Sequence, residues 1–317
     1  MAVLQLIYYG APGTGKSYAV DHYLDEITPV SKEQIFRTTF HPEYTYSDFT
    51  GQLLPVVKDE LITYDYQRGV FTNALKQAYK DLSKPVYLII EEMSRGNVAA
   101  IFGDIFQLLD RTDKGVSRYP IRNSVIAKEI PQIDDNDDLI SLPANFNILG
   151  TVNISDQNVF VMDTAFKRRF DWKYVSTDPV KNSDGTLFED DDVSIEIISN
   201  TGNFSTSWHE FYMKLNQFIT DRNRGLGLGE DKQIGQFFVQ FSKNMSFNTI
   251  RDKLQNKLLQ YLWEDVETVS YGNSNRLFSE EITNYADLYR AFENNEQIFS
   301  DTFIIYFKSI ELPKGIL

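Results

Sequence analysis

The first half of the chain alternates short apolar runs with stretches of helical spacing. LQLIYY (4–9), QIFRTTF (34–40), VYLIIEE (86–92) and NFNILGTVN (145–153) read as strands, and the near-continuous apolar runs among them as strands buried on both faces. Between them a helix begins over Ser17 to Leu24. GVFTNALKQAYKDL (69–82) places Val70, Ala74, Leu75, Ala78 and Leu82 on one helical face, and Val98, Ile101, Ile105, Leu108 and Leu109 form another stripe. Apolar strands separated by helices predict an α/β fold, a parallel sheet with helices on both faces. The pattern then breaks. Residues 177–204 carry the acid run DGTLFEDDD and read as a solvated linker. Beyond it, WHEFYMKLNQFITDR (208–222) and FNTIRDKLQNKLLQYLWEDV (247–266) return to helical spacing. The expected organisation is a large α/β domain over 1–176, an acidic linker over 177–204 and a smaller, mainly helical domain over 205–317, with no internal repeat.

Charge and composition narrow the chemistry. Lys plus Arg is 31 and Asp plus Glu is 45, a net charge of −14. Such a chain is a poor autonomous nucleic-acid binder, because phosphate affinity comes largely from Lys and Arg. There is no cysteine, which excludes disulfides and thiolate metal sites. The three histidines, His22, His41 and His209, lie far apart in sequence, so a zinc-hydrolase constellation is not expected. The N-terminal AVLQLIYYGA has no basic flank and reads as a strand, not a signal peptide. No stretch approaches the roughly 20 apolar residues of a membrane span. These features lead us to expect a cytoplasmic protein with no membrane partner.

Four short motifs carry chemistry. GAPGTGKS (Gly10, Ala11, Pro12, Gly13, Thr14, Gly15, Lys16, Ser17) fits G-x-x-x-x-G-K-[ST] between a strand and a helix, the context that motif requires. Its glycines let the backbone turn so that N–H groups face phosphate oxygens, and the helix that follows adds its positive N-terminus. Lys16 would reach the β- and γ-phosphates and the Ser17 hydroxyl would ligate Mg²⁺. VYLIIEE delivers two acids at the end of a buried strand, where open α/β sheets bind ligands. Glu91 would support the Mg²⁺ shell and Glu92 would polarise the attacking water. In GTVNISDQ (150–157), Asn153 ends a strand and could reach that water from beside Glu92. In MDTAFKRRF (162–170), Arg168 and Arg169 are paired cations suited to a neighbouring subunit's phosphate. The plainer readings are two surface acids after a core strand and a surface basic pair.

The P-loop, EEMSRGN, an Asn-ended strand and D-x-A-x-x-R-R-F, in this order, resemble AAA+ ATPases. FHPEYTYSDFTGQLLP (40–55), EEMSRGNVAAIFGDIFQLLD (91–110) and GTVNISDQNVFVMDTAFKRRFDW (150–172) resemble, more narrowly, the McrB-type AAA+ GTPases, motor subunits of methylcytosine-dependent McrBC restriction systems. GEDKQIGQFFVQF and LQNKLLQYLWEDV are also similar, and the resemblance runs over residues 4–265. It implies an AAA+ P-loop sheet followed by a helical lid, a hexameric ring, Mg²⁺ with GTP, and a separate McrC-like nuclease subunit that stimulates hydrolysis. By the same resemblance Asn153 and Asp156 would position water, Glu92 would be the catalytic acid, and one of Arg168 and Arg169 would act in trans. Two departures are mild: Glu91 stands where Asp is usual, and TVN replaces TMN. The family's N-terminal DNA-recognition domain is not in this sequence, which starts nine residues before Gly10. DNA contact is therefore expected through the assembly or through a domain outside these residues. No nuclease pattern is present. The guanine motif N-K-x-D of small GTPases is also missing, its nearest match being Asn256-Lys257-Leu258-Leu259 in a helix, and ATP stays an alternative nucleotide. The competing function is that of a MoxR-like AAA+ chaperone remodelling protein complexes, which would not be expected to carry N-x-x-D or HPEYTYSDF.

Overall fold

Runs that are apolar at nearly every position become the inner strands of a sheet covered on both faces. The computed structural model describes residues 3–27, 30–58, 61–134, 137–154, 162–182, 184–188, 190–270 and 275–312. The strands of its N-terminal part are β1 (Gln5–Gly10), β2 (Ile35–Thr39), β3 (Gly51–Lys58), β4 (Leu61–Arg68), β5 (Val86–Glu91), β6 (Ile121–Arg122), β7 (Leu139–Ile140), β8 (Phe146–Asn153) and β9 (Asp171–Tyr174). Five of them form one sheet in the order β2-β5-β8-β1-β9. The pairs β2–β5, β5–β8 and β1–β9 are parallel. The first five residues of β5 and the first six of β8 are buried. This order sets β8 between β1 and β5, so the C-terminal ends of the P-loop strand, the Asn153 strand and the acidic strand are neighbours. The parallel α/β sheet expected from the pattern is the architecture of this region.

The chain forms two compact units. One holds Met1–Tyr9 and Lys16–Tyr174; the other holds Gly10–Gly15 and Val175–Leu317. The first core gathers Ile7, Leu88, Ile90, Phe146 and Ile148 from the sheet with Phe40, Phe49, Phe71, Phe102 and Phe166 from the elements around it. The predicted helix at 69–82 forms over Val70–Lys80. The stripe at 98–109 is helical only over Val98–Phe102. Gly103 then takes a left-handed φ of 48°, and the apolar residues continue into the core as the 3₁₀ segment Gly103–Leu109.

In the second unit β10 (Ser194–Ile197) pairs antiparallel with β11 (Phe204–Ser207), and helices follow. Helix Trp208–Thr220 is capped by Ser207, whose hydroxyl accepts the Glu210 N–H at 3.2 Å, and buries most of its length. Helix Phe247–Lys253 runs on as the wider π-helical turns Leu254–Leu259 and Leu262–Glu267, and helices Tyr285–Glu293 and Asp301–Ser309 complete the unit. Trp208, Phe211, Phe218, Phe278, Phe299 and Phe303 centre its core. The acidic stretch read as a linker is structured at its end. Val193, Ile195 and Ile197 are buried in this core, and buried Asp191 sits 3.2 Å from His209 Nε2. An acid held this way satisfies one buried side chain with another, which an acid count cannot distinguish from solvation. Among the described residues, no helix is long and apolar enough to cross a membrane.

Candidate functional site

In the first unit, candidate residues meet at the C-terminal ends of β5 and β8. β5 closes on Glu91, and Glu92 follows in the left-handed conformation (φ 52°, ψ 44°), one of two non-glycine residues with positive φ among those described. That backbone costs about 1–2 kcal/mol in a residue with a Cβ. Two bonds from β8 hold it: the Glu92 N–H donates to Thr151 Oγ1 at 3.1 Å, and Asn153 Nδ2 donates to Glu92 Oε2 at 2.8 Å. The abrupt turn sends the Glu92 side chain toward the end of β8. Strained residues of this kind gather where side-chain direction matters to function.

Glu91 faces the start of the first helix. Ser17 Oγ donates to its Oε2 at 2.9 Å, Thr151 Oγ1 donates to the same oxygen at 2.5 Å, and Arg37 donates to Oε1 at 3.0 Å. Arg37 also pairs with Asp21. A serine hydroxyl and a carboxylate within hydrogen-bond reach of each other are hard oxygen donors of the kind Mg²⁺ takes, one or two from protein and the rest from phosphate and water. Ser17 and Glu91 therefore fit the metal role. Among the described residues, no group of three or more His, Asp or Glu side chains could hold a metal ion by itself. Lys16, at the first position of helix Lys16–Ile27, is buried.

The loop Gly10–Gly15, which joins β1 to that helix in the chain, packs within the second unit. Gly13 and Gly15 have φ of 77° and 84°, open to glycine and strained for other residues. Thr14 Oγ1 donates to the Ala11 carbonyl at 3.0 Å, closing the turn on itself. From outside the loop, the N–H groups of Gly235 and Phe237 donate to the carbonyls of Pro12 and Gly13, each at 2.8 Å.

The two arginines differ sharply. Asp163 caps the helix Thr164–Lys167 by accepting the Phe166 N–H at 2.6 Å, and Arg168 and Arg169 follow it. Arg168 is exposed. Arg169 is held inside its own unit: it donates to Asp110 Oδ2 at 2.6 Å and to the Ala165 carbonyl at 2.8 Å, with its guanidinium 4.0 Å from the centre of the Phe106 ring. Asp156, the other candidate for positioning water, lies outside the described residues.

Sequence reasoning passed over two members of this cluster. Thr151 stands two residues before Asn153 on β8, on the same face by the two-residue period of a strand, and it bonds to both Glu91 and Glu92. Arg37 is the single charge in the strand run QIFRTTF. A cation inside a strand of the sheet asks for an acid beside it, and that was the available signal.

Comparison with known proteins agrees with this fold. Residues 5–170 match the AAA domain family, dynein-related subfamily. The chain is 34% identical to the Type II restriction enzyme BsuMI component YdiS of Bacillus subtilis (strain 168), over 88% of this chain and 84% of that protein. It is 26% identical to the Type IV methyl-directed restriction enzyme EcoKMcrB subunit of Escherichia coli (strain K12), over 52% of this chain and 34% of that protein. With the strand that leads into GAPGTGKS, an acidic strand and an Asn-ended strand side by side in one parallel sheet, the chain belongs to the AAA domain family of the dynein-related subfamily, as an McrB-like AAA+ protein related to components of restriction systems.

Proposed function

We propose that this chain is the nucleotide-hydrolysing motor of a restriction system, with GTP as its nucleotide and a separate McrC-like nuclease as its partner. The observation that carries the proposal is the arrangement at the ends of β5 and β8, where Asn153 bonds Glu92 and Ser17 bonds Glu91. In this reading the loop Gly10–Gly15 and Lys16 hold the triphosphate. Ser17 and Glu91 take Mg²⁺, which neutralises charge on the phosphates. Glu92 accepts a proton from the attacking water, and Asn153, with Asp156, fixes that water's position. Arg168, the exposed member of the pair, serves the site of the next subunit in a hexameric ring.

Modification dependence and the choice of GTP rest on the resemblance to the McrB-type proteins alone. The relative that matches nearly the whole chain is named as a Type II component, so ATP stays the alternative that a first assay must separate. That assay measures phosphate release by the purified chain with GTP and with ATP at equal Mg²⁺, with and without the cognate McrC-like protein and in the absence of DNA. Turnover with GTP that rises several-fold with the partner is expected, since a partner that fixes the water and the trans arginine supplies preorganisation. Equal rates with and without the partner would reduce it to cargo, and cleavage of DNA by this chain alone would end the proposed division of labour.

A further inference from the structure

The two carbonyls that the loop turns toward residues 235–237 determine where its amides point. In a trans peptide the C=O and the following N–H lie on opposite sides of one plane. When the Pro12 carbonyl accepts from Gly235, the Gly13 N–H must face away from Gly235. When the Gly13 carbonyl accepts from Phe237, the Thr14 N–H is turned in the same manner. Successive N–H groups turned together, with a left-handed glycine among them (Gly13, φ 77°), are the geometry of an anion nest. The approach is close enough to require glycine on both sides. A Cβ on Gly235 would collide with the Gly13 carbonyl and Thr14 Cα, and one on Gly13 would strike the Phe238 backbone.

The backing segment is itself anchored. Gln236 is buried, and its side chain accepts the Val180 N–H at 2.7 Å while donating to the Phe188 carbonyl at 3.2 Å and to Asp191 Oδ1 at 2.9 Å. Its own carbonyl accepts from Trp208 Nε1 at 2.8 Å. The residue between the two loop-facing N–H groups is thus pinned on both its side chain and its main chain to the core of the second unit.

We infer that Gly235–Phe237 is the backing of the phosphate nest, with Gln236 as its positioning residue, so that nucleotide affinity depends on a segment more than 200 residues beyond the loop in sequence. The inference rests on the nucleotide-binding reading above and adds to it a distant determinant of binding. Its footprint is on affinity, because the residues assigned to the attacking water are Glu92 and Asn153 and not this segment.

The test uses the full chain with Mg²⁺ and fluorescent GTP and ATP analogues. Gly235→Ala and Gln236→Leu are compared with wild type, with Lys16→Ala as the non-binding control. For Gly235→Ala we expect a folded protein with a lower melting temperature without nucleotide, since the loop must shift to admit the Cβ, together with a smaller nucleotide-induced rise and an affinity lower by about tenfold or more, the scale of two misdirected hydrogen bonds. KM should rise in both variants while kcat at saturation stays within about threefold. A folded Gly235→Ala protein with wild-type affinity overturns the inference. Amide exchange in the wild-type chain gives a reading that needs no variant: the Gly235 and Phe237 N–H groups should become more protected when nucleotide binds, and unchanged protection contradicts the nest. Failure of wild type to bind either nucleotide removes the underlying reading, and the inference falls with it.

Discussion

At the scale of single residues, the acids and arginines separate into roles that can be tested one at a time. Arg169 donates to Asp110 from a side chain that is 10% exposed, whereas Arg168 is exposed. Arg169→Ala should therefore lower the melting temperature, by the equivalent of roughly 1–3 kcal/mol for a largely buried charge-assisted bond. Arg168→Ala should leave stability unchanged and reduce turnover by about 10³-fold, the scale of a trans arginine. Thermal unfolding and phosphate release on both variants decide the assignment, and the reverse pattern would exchange the two roles. Mixing Arg168→Ala with Lys16→Ala subunits should restore part of the activity, since each leaves the other's half-site intact. Much of this site was readable because its residue types are demanding. Glycines at fixed spacing followed by a lysine, and paired acids after an apolar strand, seldom occur together outside a phosphate site. The sequence could not separate Arg168 from Arg169, because their difference is made by Asp110 and Phe106, some 60 residues away in the chain. Nor could it anticipate the left-handed turn at Glu92, which exists because Thr151 and Asn153 on the adjacent strand hold it.

At the scale of elements, what was legible followed burial. β5 and β8 are covered on both faces, so their apolar runs are unbroken and their ends could be placed to within a residue. β9, at the sheet's edge, reads DWKY and carries no such signal. The hairpin β3–β4 was hidden for a different reason: Leu53 and Ile62 are 61% and 74% exposed, so its apolar positions do not report a buried face. Turn chemistry also yields a prediction here. After helix Trp208–Thr220, the Asp221 carboxylate accepts the N–H groups of Arg224 at 3.0 Å and Asn223 at 2.8 Å, and these bonds hold it below the ordinary aspartate range. A depressed folded-state pKa means stability that is fully present above the unfolded value of about 3.9 and is lost as pH falls through the lower folded value. Asp221→Asn should therefore lose less melting temperature than wild type between about pH 5 and pH 2, where this carboxylate takes up its proton. Parallel acid profiles for the two proteins would show that the turn contributes nothing to acid sensitivity.

At the scale of the whole molecule, assembly and charge set the expectations. If Arg168 serves a neighbouring site, turnover per subunit must climb with protein concentration as rings form, and a flat profile from a protein that stays monomeric in sedimentation would dismiss the trans role. A net charge of −14 opposes binding to phosphates, so the chain by itself should give no tight or methylation-selective DNA complex at physiological salt in a mobility-shift titration. The central claim is that Glu92, held by Asn153 at the end of β8, is the base for nucleotide hydrolysis. Single-turnover phosphate release by wild type and Glu92→Gln, each saturated with nucleotide and Mg²⁺, tests it most directly. Glutamine keeps the size and one hydrogen-bonding oxygen but cannot take the proton. The account predicts that Glu92→Gln binds nucleotide as tightly as wild type and retains it uncleaved, with release slowed by about 10²-fold or more. Phosphate release by Glu92→Gln at the wild-type rate would contradict it.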